Sequence, residues 1–187
     1  YLRQSQTGSY VPVKQMEKRL SRQLSSEISI AGTMLRKNPE LLATLNQGIT
    51  FKEMKPTQML NALQQKIQAD FPALSDVSFE LRTVHDSMKD YLSPAFYLTP
   101  PMDTGTPNVI YINPAANYQG LELFTTLAHE GFPGHLYQTV TFQRQNPSGI
   151  RNLLCTSGFA EGWATYVEPF AYQYAAGYIQ IGRASCR

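Results

Sequence analysis

The chain has 187 residues, of which 42% are hydrophobic and 16% are charged. That length and composition suit one buried core and exclude a disordered chain. Lys and Arg number 16 against 14 Asp and Glu, so the net charge indicates neither a nucleic-acid partner nor a membrane-surface partner. No apolar run approaches the roughly 20 residues of a transmembrane helix.

Both ends of the chain are expected to be incomplete. The sequence starts at Tyr1 rather than at methionine, and its first residues lack the basic-then-apolar order of a signal peptide. The final segment IGRASCR, residues 181–187, resembles translated sequencing-adapter DNA, and we interpret it as a non-native tail. Removing its two arginines leaves 14 basic against 14 acidic residues, and Cys155 is then the single cysteine. Residues 1–180 are interpreted as one partial domain.

The first part of that domain, residues 1–75, is predicted to be helical. Apolar residues recur at helical spacing from Val13 to Lys37 without an internal proline, which predicts a long amphipathic helix. A short helix is expected over residues 39–47, and a third helix is expected to begin at Pro56 and end before Pro72. None of these helices carries recognisable chemistry, so we interpret them as a packed helical wall.

Residues 76–115 are predicted to form a small sheet. Three segments either alternate in hydrophobicity or are rich in β-branched and aromatic residues, and prolines or glycines bound them: 77–84, 95–98 and 108–113. Helical patterns return over residues 119–180. Helices are expected over 121–131, from about Gly134, and from about Ser157 to a break at Pro169. The predicted class is mainly α with a small β-sheet (α+β).

The segment HEGFPGH places two histidines, His129 and His135, six positions apart. Each residue of a regular helix advances by about 100°, so in an unbroken helix the second histidine would point about 120° away from the first. Pro133 has no amide hydrogen for the carbonyl of His129, and the two glycines of the segment tolerate unusual backbone angles. We therefore expect an interrupted turn that returns His135 to the face of His129.

Four motifs together carry a family resemblance. HEGFPGHLYQ and the downstream EGWATYVE, with SPAFYLTPP and NVIYIN before them, resemble the bacterial family known as domain of unknown function 885, whose members are similar to zinc-dependent gluzincin peptidases. The resemblance covers about residues 55–180 and implies a gluzincin-like helical peptidase domain. Related peptidases carry a shorter His-Glu-x-Gly-His segment before a similar Leu-Tyr-Gln stretch, so the second histidine of the family falls on His135.

The resemblance implies a catalytic zinc ion. Zinc of this class takes two imidazoles and one carboxylate, with a fourth position open to water. His129 and His135 are the implied imidazole ligands, and Glu161, which lies 26 residues after His135, is the implied carboxylate ligand. Glu168 and Gln138 are expected to support the ligands without binding the metal, Glu168 by orienting a histidine.

The implied function is zinc-dependent peptide hydrolysis, with a peptide as the partner. Glu130 adjoins a ligand without being one, and it is expected to be the base that takes a proton from the attacking water. Gluzincins present an edge strand to extended substrate at the position of NVIYIN, so Val109 and Tyr111 are expected to contact substrate. Tyr166, with Tyr97 and Tyr111, is a candidate for stabilising the oxyanion.

Two other functions stay open at this point. One is a non-catalytic peptide-binding or structural helical module, in which HEGFPGH is only a helix junction. The other is a zinc hydrolase that acts on an ester or on a non-peptide amide. The resemblance also suggests an extracytoplasmic location, because many such bacterial proteins carry signal or lipoprotein sequences.

Overall fold

The structure, a computed structural model, describes residues 2–46, 49–101, 103–104, 107–154 and 156–181. Cys155 and the predicted tail beyond residue 181 lie outside these ranges. The helices are α1 (Leu2–Thr7), α2 (Val13–Lys37), α3 (Pro39–Asn46), α4 (Pro56–Lys66), α5 (Gly120–Glu130), α6 (His135–Arg144), α7 (Gly149–Leu153) and α8 (Ser157–Ala175). The strands are β1 (Ile49–Phe51), β2 (Glu80–Thr83), β3 (Ala95–Leu98), β4 (Val109–Ile112) and β5 (Ile179–Ile181).

The predicted α+β class is confirmed, because helices predominate and the strands form two small sheets. Helix α2 has the bounds that its apolar periodicity predicts. A 3₁₀ turn over Ile67–Ala69 continues α4, so the helical segment begins at Pro56 as predicted and ends three residues before Pro72. Local hydrophobic periodicity was sufficient to place these elements, because each runs for ten residues or more.

The larger sheet has the strand order β2-β4-β3, in which β2 is parallel to β4 and β3 is antiparallel to it. Ile110 of β4 lies between Leu81 and Tyr97 of the two neighbouring strands. NVIYIN is therefore the central strand, and the expectation that it is an edge strand is wrong. Among the described residues β3 and β2 are the edges, because β4 uses its main-chain groups on both sides.

A second sheet joins β1 to β5 in an antiparallel pair, with Thr50 opposite Gln180. The sequence prediction missed this sheet and placed β1 inside a region assigned as helical. Three residues are too few to show an alternating pattern. The pairing also assigns Ile181, the first residue of the predicted tail, to a strand.

The core lies where α4, α5, α6 and α8 meet the larger sheet. Helix α5 is central, because one of its faces packs on α8 and α4 and another packs on β3. Its side chains Leu123, Phe124 and Leu127 are buried, with Phe124 and Leu127 fully so. Burying a large apolar side chain contributes about 1.5–3 kcal/mol, so this packing fixes the end of α5 at which His129 lies.

Helix α2 does not belong to this core. None of its side chains is buried, and Leu20, Leu24 and Ile28 are 62%, 62% and 64% exposed. The interpretation of α2 as part of a packed wall is therefore wrong for the described residues. Its periodicity predicts an apolar face, but periodicity carries no information about what covers that face. In the described part of the chain, no helix has both the length and the apolar character of a membrane span.

Helix α8 continues through Pro169, where the sequence pattern predicts a break. A proline inside a helix removes one hydrogen bond to the carbonyl four residues earlier, which here belongs to Thr165. That residue is exposed, so water can bond its free carbonyl. The buried side chains Val167, Ala171 and Tyr174 hold the helix on the core on both sides of the proline.

Candidate metal centre

The two histidines lie on either side of a short turn that joins two helices. Helix α5 ends at Glu130 and α6 begins at His135. The amide of Gly134 donates to the carbonyl of Ala128 at 3.0 Å, and the peptide bond before Pro133 is cis. The imidazole rings of His129 and His135 lie with their centroids 4.9 Å apart. The expected turn therefore brings both histidines to one place.

Glycine is required at two positions of this turn. A Cβ atom on Gly134 would lie 1.7 Å from the carbonyl oxygen of His129. A Cβ atom on Gly131 would lie 2.5 Å from Leu60 of α4. Both distances are shorter than a non-bonded contact allows. Gly134 therefore permits the close approach of the turn to the α5 backbone, and Gly131 permits its close approach to α4.

Helix α8 is fixed against the turn by the indole of Trp163. Its Nε1 donates to the carbonyl of Pro133 at 2.8 Å. Trp163 lies two residues after Glu161 and five before Glu168, so this hydrogen bond sets the position of α8 beside the histidines. The sequence indicates only core packing for the indole, because a hydrogen bond to a distant turn leaves no sequence pattern.

Glu161 faces both histidines. Its Oε2 lies 3.5 Å from Nε2 of His129, and its Oε1 lies 3.6 Å from Nε2 of His135. One ligand atom from each of the three residues can be chosen so that all lie within 4.8 Å of one another. Ligand atoms about 2.0–2.2 Å from a tetrahedral zinc ion would be about 3.4 Å apart. The three residues therefore form a group that could hold a metal ion.

Glu168 orients the first histidine. Its Oε1 lies 2.9 Å from Nδ1 of His129. When Nδ1 carries the proton and donates to this carboxylate, Nε2 presents its lone pair toward Glu161. Two acceptors then face each other, an arrangement that a cation between them stabilises. The donor set therefore fits a metal ion.

The environment of His135 favours its neutral form. Burial is the largest cause and lowers the pKa of His135, and the neighbouring His129 lowers it further, whereas Glu161 raises it. A histidine binds a metal ion through a neutral imidazole nitrogen. The direction of this pKa shift therefore agrees with a ligand role.

Glu130, the last residue of α5, is tied to the edge strand of the sheet. The amide of Tyr97 in β3 donates to its Oε2 at 2.8 Å. Burial is the largest cause of a raised pKa at Glu130, and the Tyr97 hydrogen bond opposes that rise. Its Oε1 is not used in this bond. The carboxyl group is thus held beside the histidines with one oxygen committed to the backbone, in surroundings that favour taking up a proton.

A cavity of about 690 Å³ opens beside His135 and Glu161. This volume lies within the range of small-molecule sites, about 300–1,000 Å³. Five of its lining residues belong to α6 and recur at helical spacing along one face: His135, Gln138, Thr139, Phe142 and Gln143. Across from them lie Tyr97 and Thr99 of the β3 segment, Arg151 of α7 and Phe159 of α8.

Gln138, expected to support the ligands, instead lines this cavity one turn after His135. Its Nε2 is buried and has no hydrogen-bond partner in the described part of the chain. Within the described residues, the Gln138 side chain forms no hydrogen bond to His129 or His135. Its Nε2 is therefore enclosed by the protein, and other atoms of the side chain form part of the cavity wall.

The three residues expected to contact substrate do not line the cavity. Side chains alternate across a strand, and Ile110 of β4 faces Gly131 at the metal centre, so Val109 and Tyr111 point to the opposite face of the sheet. The ring of Tyr111 stacks there on Phe96 at 5.1 Å. These two assignments depended on β4 being an edge strand, so the observed strand order removes the reason for them. Tyr166 is 63% exposed on α8, outside the cavity lining.

The chain is similar to a family model and to a solved structure. Residues 15–184 match the family model described as "Bacterial protein of unknown function (DUF885)", so the match extends into the predicted tail. No curated protein shows significant similarity to the chain. The crystal structure of "the putative lipoprotein from Colwellia psychrerythraea" is similar with a TM-score of 0.70 and 18% identity. That similarity covers 93% of this chain and 33% of the other, so this chain spans about a third of that protein's length.

Proposed function

The chain belongs to the bacterial DUF885 family, which is described as a family of unknown function, and from the geometry of the candidate metal centre we propose that the chain is a zinc-dependent hydrolase of peptide bonds. The observation that carries this proposal is the grouping of His129, His135 and Glu161 within 4.8 Å. Two imidazoles and one carboxylate are the protein ligands of many catalytic zinc sites. A site with three protein ligands leaves one position for water or substrate.

A zinc ion at these residues would supply a Lewis acid that polarises the scissile carbonyl and makes a bound water more acidic. Glu130 then accepts the proton of the attacking water at Oε1, because Oε2 is occupied by the Tyr97 amide. The same oxygen passes the proton to the leaving amine. Glu168 holds His129 in the tautomer that leaves Nε2 free.

Edge strand β3 gives an extended peptide a place to bind. The amide of Tyr97 points away from β4, as its bond to Glu130 shows, and Thr99, two residues later, has the same orientation in an extended strand. Thr99 also lines the cavity. Because the Tyr97 amide is already bonded to Glu130, main-chain pairing with a peptide would use the Thr99 amide, and it would give affinity with little selection of side chains. This arrangement supports a peptide rather than a compact ester or amide as substrate.

An extracytoplasmic location also forms part of the proposal. The similar structure from Colwellia psychrerythraea is described as a lipoprotein, and the family resemblance suggests export. The location is accordingly testable by fractionating cells that express the full-length protein.

The test combines metal content with turnover in three proteins. We expect one zinc ion per wild-type chain by elemental analysis and a large loss of zinc in His135→Ala, which removes one ligand. Glu130→Gln should retain zinc and lose about 10²–10⁴-fold in turnover of a peptide mixture, because a general base contributes about that factor. Loss of zinc in Glu130→Gln would make Glu130 a ligand. Absence of zinc from all three proteins would favour a structural helix junction.

A further inference from the structure

The cavity beside the candidate metal centre extends along α6 from His135 to Phe142. These residues are seven positions apart, and a helix rises about 1.5 Å per residue, so the cavity runs about 10 Å away from the metal ligands. A cation lies at its far end. The guanidinium carbon of Arg151 is 5.7 Å from the centre of the Phe142 ring.

Arg151 has no ion-pair or hydrogen-bond partner for its guanidinium within the ranges that the structure describes. It is also the only Lys or Arg among the described lining residues of the cavity. A guanidinium has five donors in a planar fork, which matches a carboxylate with two parallel hydrogen bonds. The contact with the face of Phe142 holds the exposed Arg151 side chain beside the cavity without using its donors.

A second polar group lies between the two ends of the cavity. Gln138 is one turn after His135, and its buried Nε2 lacks a partner among the described residues. This nitrogen is enclosed by the protein, so Gln138 contributes to the wall between the two ends and is not itself assigned a contact with the substrate. The cavity thus has the candidate metal group at one end and the Arg151 cation of α7 at the other.

We infer that Arg151 binds a carboxylate of the substrate about 10 Å from the metal group, and that this contact determines specificity. The inference rests on the proposed hydrolase function. An extended peptide spans about 3.3–3.6 Å per residue, so the carboxylate lies about three residues from the cleaved bond. It belongs either to the end of the peptide chain or to an acidic side chain. Both present the same two oxygens to the guanidinium.

The kinetic test uses mixed-sequence peptides of about three to eight residues in three forms: free acids, C-terminal amides, and amides that contain one glutamate. The metal-loaded full chain should cleave one of the two carboxylate-bearing forms at least about tenfold faster in kcat/KM than the plain amides, mainly through KM, because hydrogen bonds to charged groups have effects of that size. Arg151→Gln should abolish this preference. Preference for free acids or for glutamate-containing amides identifies the source of the carboxylate.

Arg144→Gln is the matched control, because it removes the same charge from an exposed arginine that bonds the Ser75 carbonyl and does not line the cavity. It should retain the preference. Equal melting temperatures of the variants would show that Arg151→Gln folds. Equal cleavage of acids and amides by the wild type, or a preference that persists in Arg151→Gln, would overturn the assignment.

A binding experiment separates this assignment from the proposed function. Zinc-loaded Glu130→Gln protein is immobilised, with and without Arg151→Gln, and the retained peptides are quantified by mass spectrometry. Retention of carboxylate-bearing peptides that depends on Arg151 supports the carboxylate site even when the wild type cuts nothing. Cleavage without such a preference supports the hydrolase and overturns the carboxylate site. Absence of both overturns both.

Discussion

Among single residues, Glu168 has the predicted role that is easiest to isolate, because it contacts a predicted ligand and stands outside the predicted ligand set. Its carboxylate lies 2.9 Å from Nδ1 of His129. Glu168→Ala should lower zinc affinity by about 10–100-fold, since the partners that orient metal-bound histidines have effects of that size. A chelator competition measures the affinity. Glu27→Ala, an exposed change on α2, is the control and should leave the affinity unchanged.

Glu168→Gln refines this experiment. A glutamine carbonyl can still accept the Nδ1 proton but carries no charge, so it should lose less affinity than Glu168→Ala. Equal zinc affinity in the wild type and in both Glu168 variants would contradict an orienting role for Glu168. Because glutamine keeps the size and an acceptor oxygen of glutamate, comparing the wild type with Glu168→Gln reports on the charge, and comparing Glu168→Gln with Glu168→Ala reports on loss of the acceptor.

Among structural elements, the turn between α5 and α6 decides whether a metal group forms. Gly134→Ala should lower the free energy of unfolding by about 3 kcal/mol or more, because its Cβ would overlap the His129 carbonyl and no rotamer relieves a backbone clash. Gly162→Ala on α8 meets no atom within 4 Å and should stabilise the protein by about 1 kcal/mol. Urea denaturation measures both. A neutral Gly134→Ala would show that the turn has another geometry.

The same elements show what the sequence could predict. Long helices such as α2 and α5 can be predicted because their apolar residues recur at helical spacing over ten residues or more. The interrupted turn was predictable because a proline between two glycines cannot continue a helix. Strand order was not predictable: β4 lies between β2 and β3 through pairings that no local pattern records. Arg151 was missed for a similar reason, because its role depends on where α7 packs.

In the whole molecule, stability should be uneven along the chain. Helix α2 buries no side chain, and an isolated helix is marginally stable in water. Brief trypsin digestion should therefore cut α2 first, where it has six basic residues: Lys14, Lys18, Arg19, Arg22, Arg36 and Lys37. Protease sites on the helices that pack into the core, such as Lys66 of α4 and Arg144 of α6, should be cut later. Mass spectrometry of the early fragments checks this order.

Added zinc provides a control within the same digestion. It should slow cleavage in the core, because the three predicted ligands belong to α5, α6 and α8 and a ligand that binds only the folded state stabilises it. Cleavage in α2 should keep its rate, because α2 contributes no ligand. Early cuts in α5 or α6, or protection of α2, would contradict the uneven stability.

The hydrogen bond between Trp163 and the Pro133 carbonyl has a practical consequence. The chain contains one tryptophan, and its indole bonds the turn that separates the two histidines. Its fluorescence therefore reports on this junction alone, free of signal from any other indole. Emission wavelength and quenching would follow opening of the turn or arrival of a metal in real time, with no label attached.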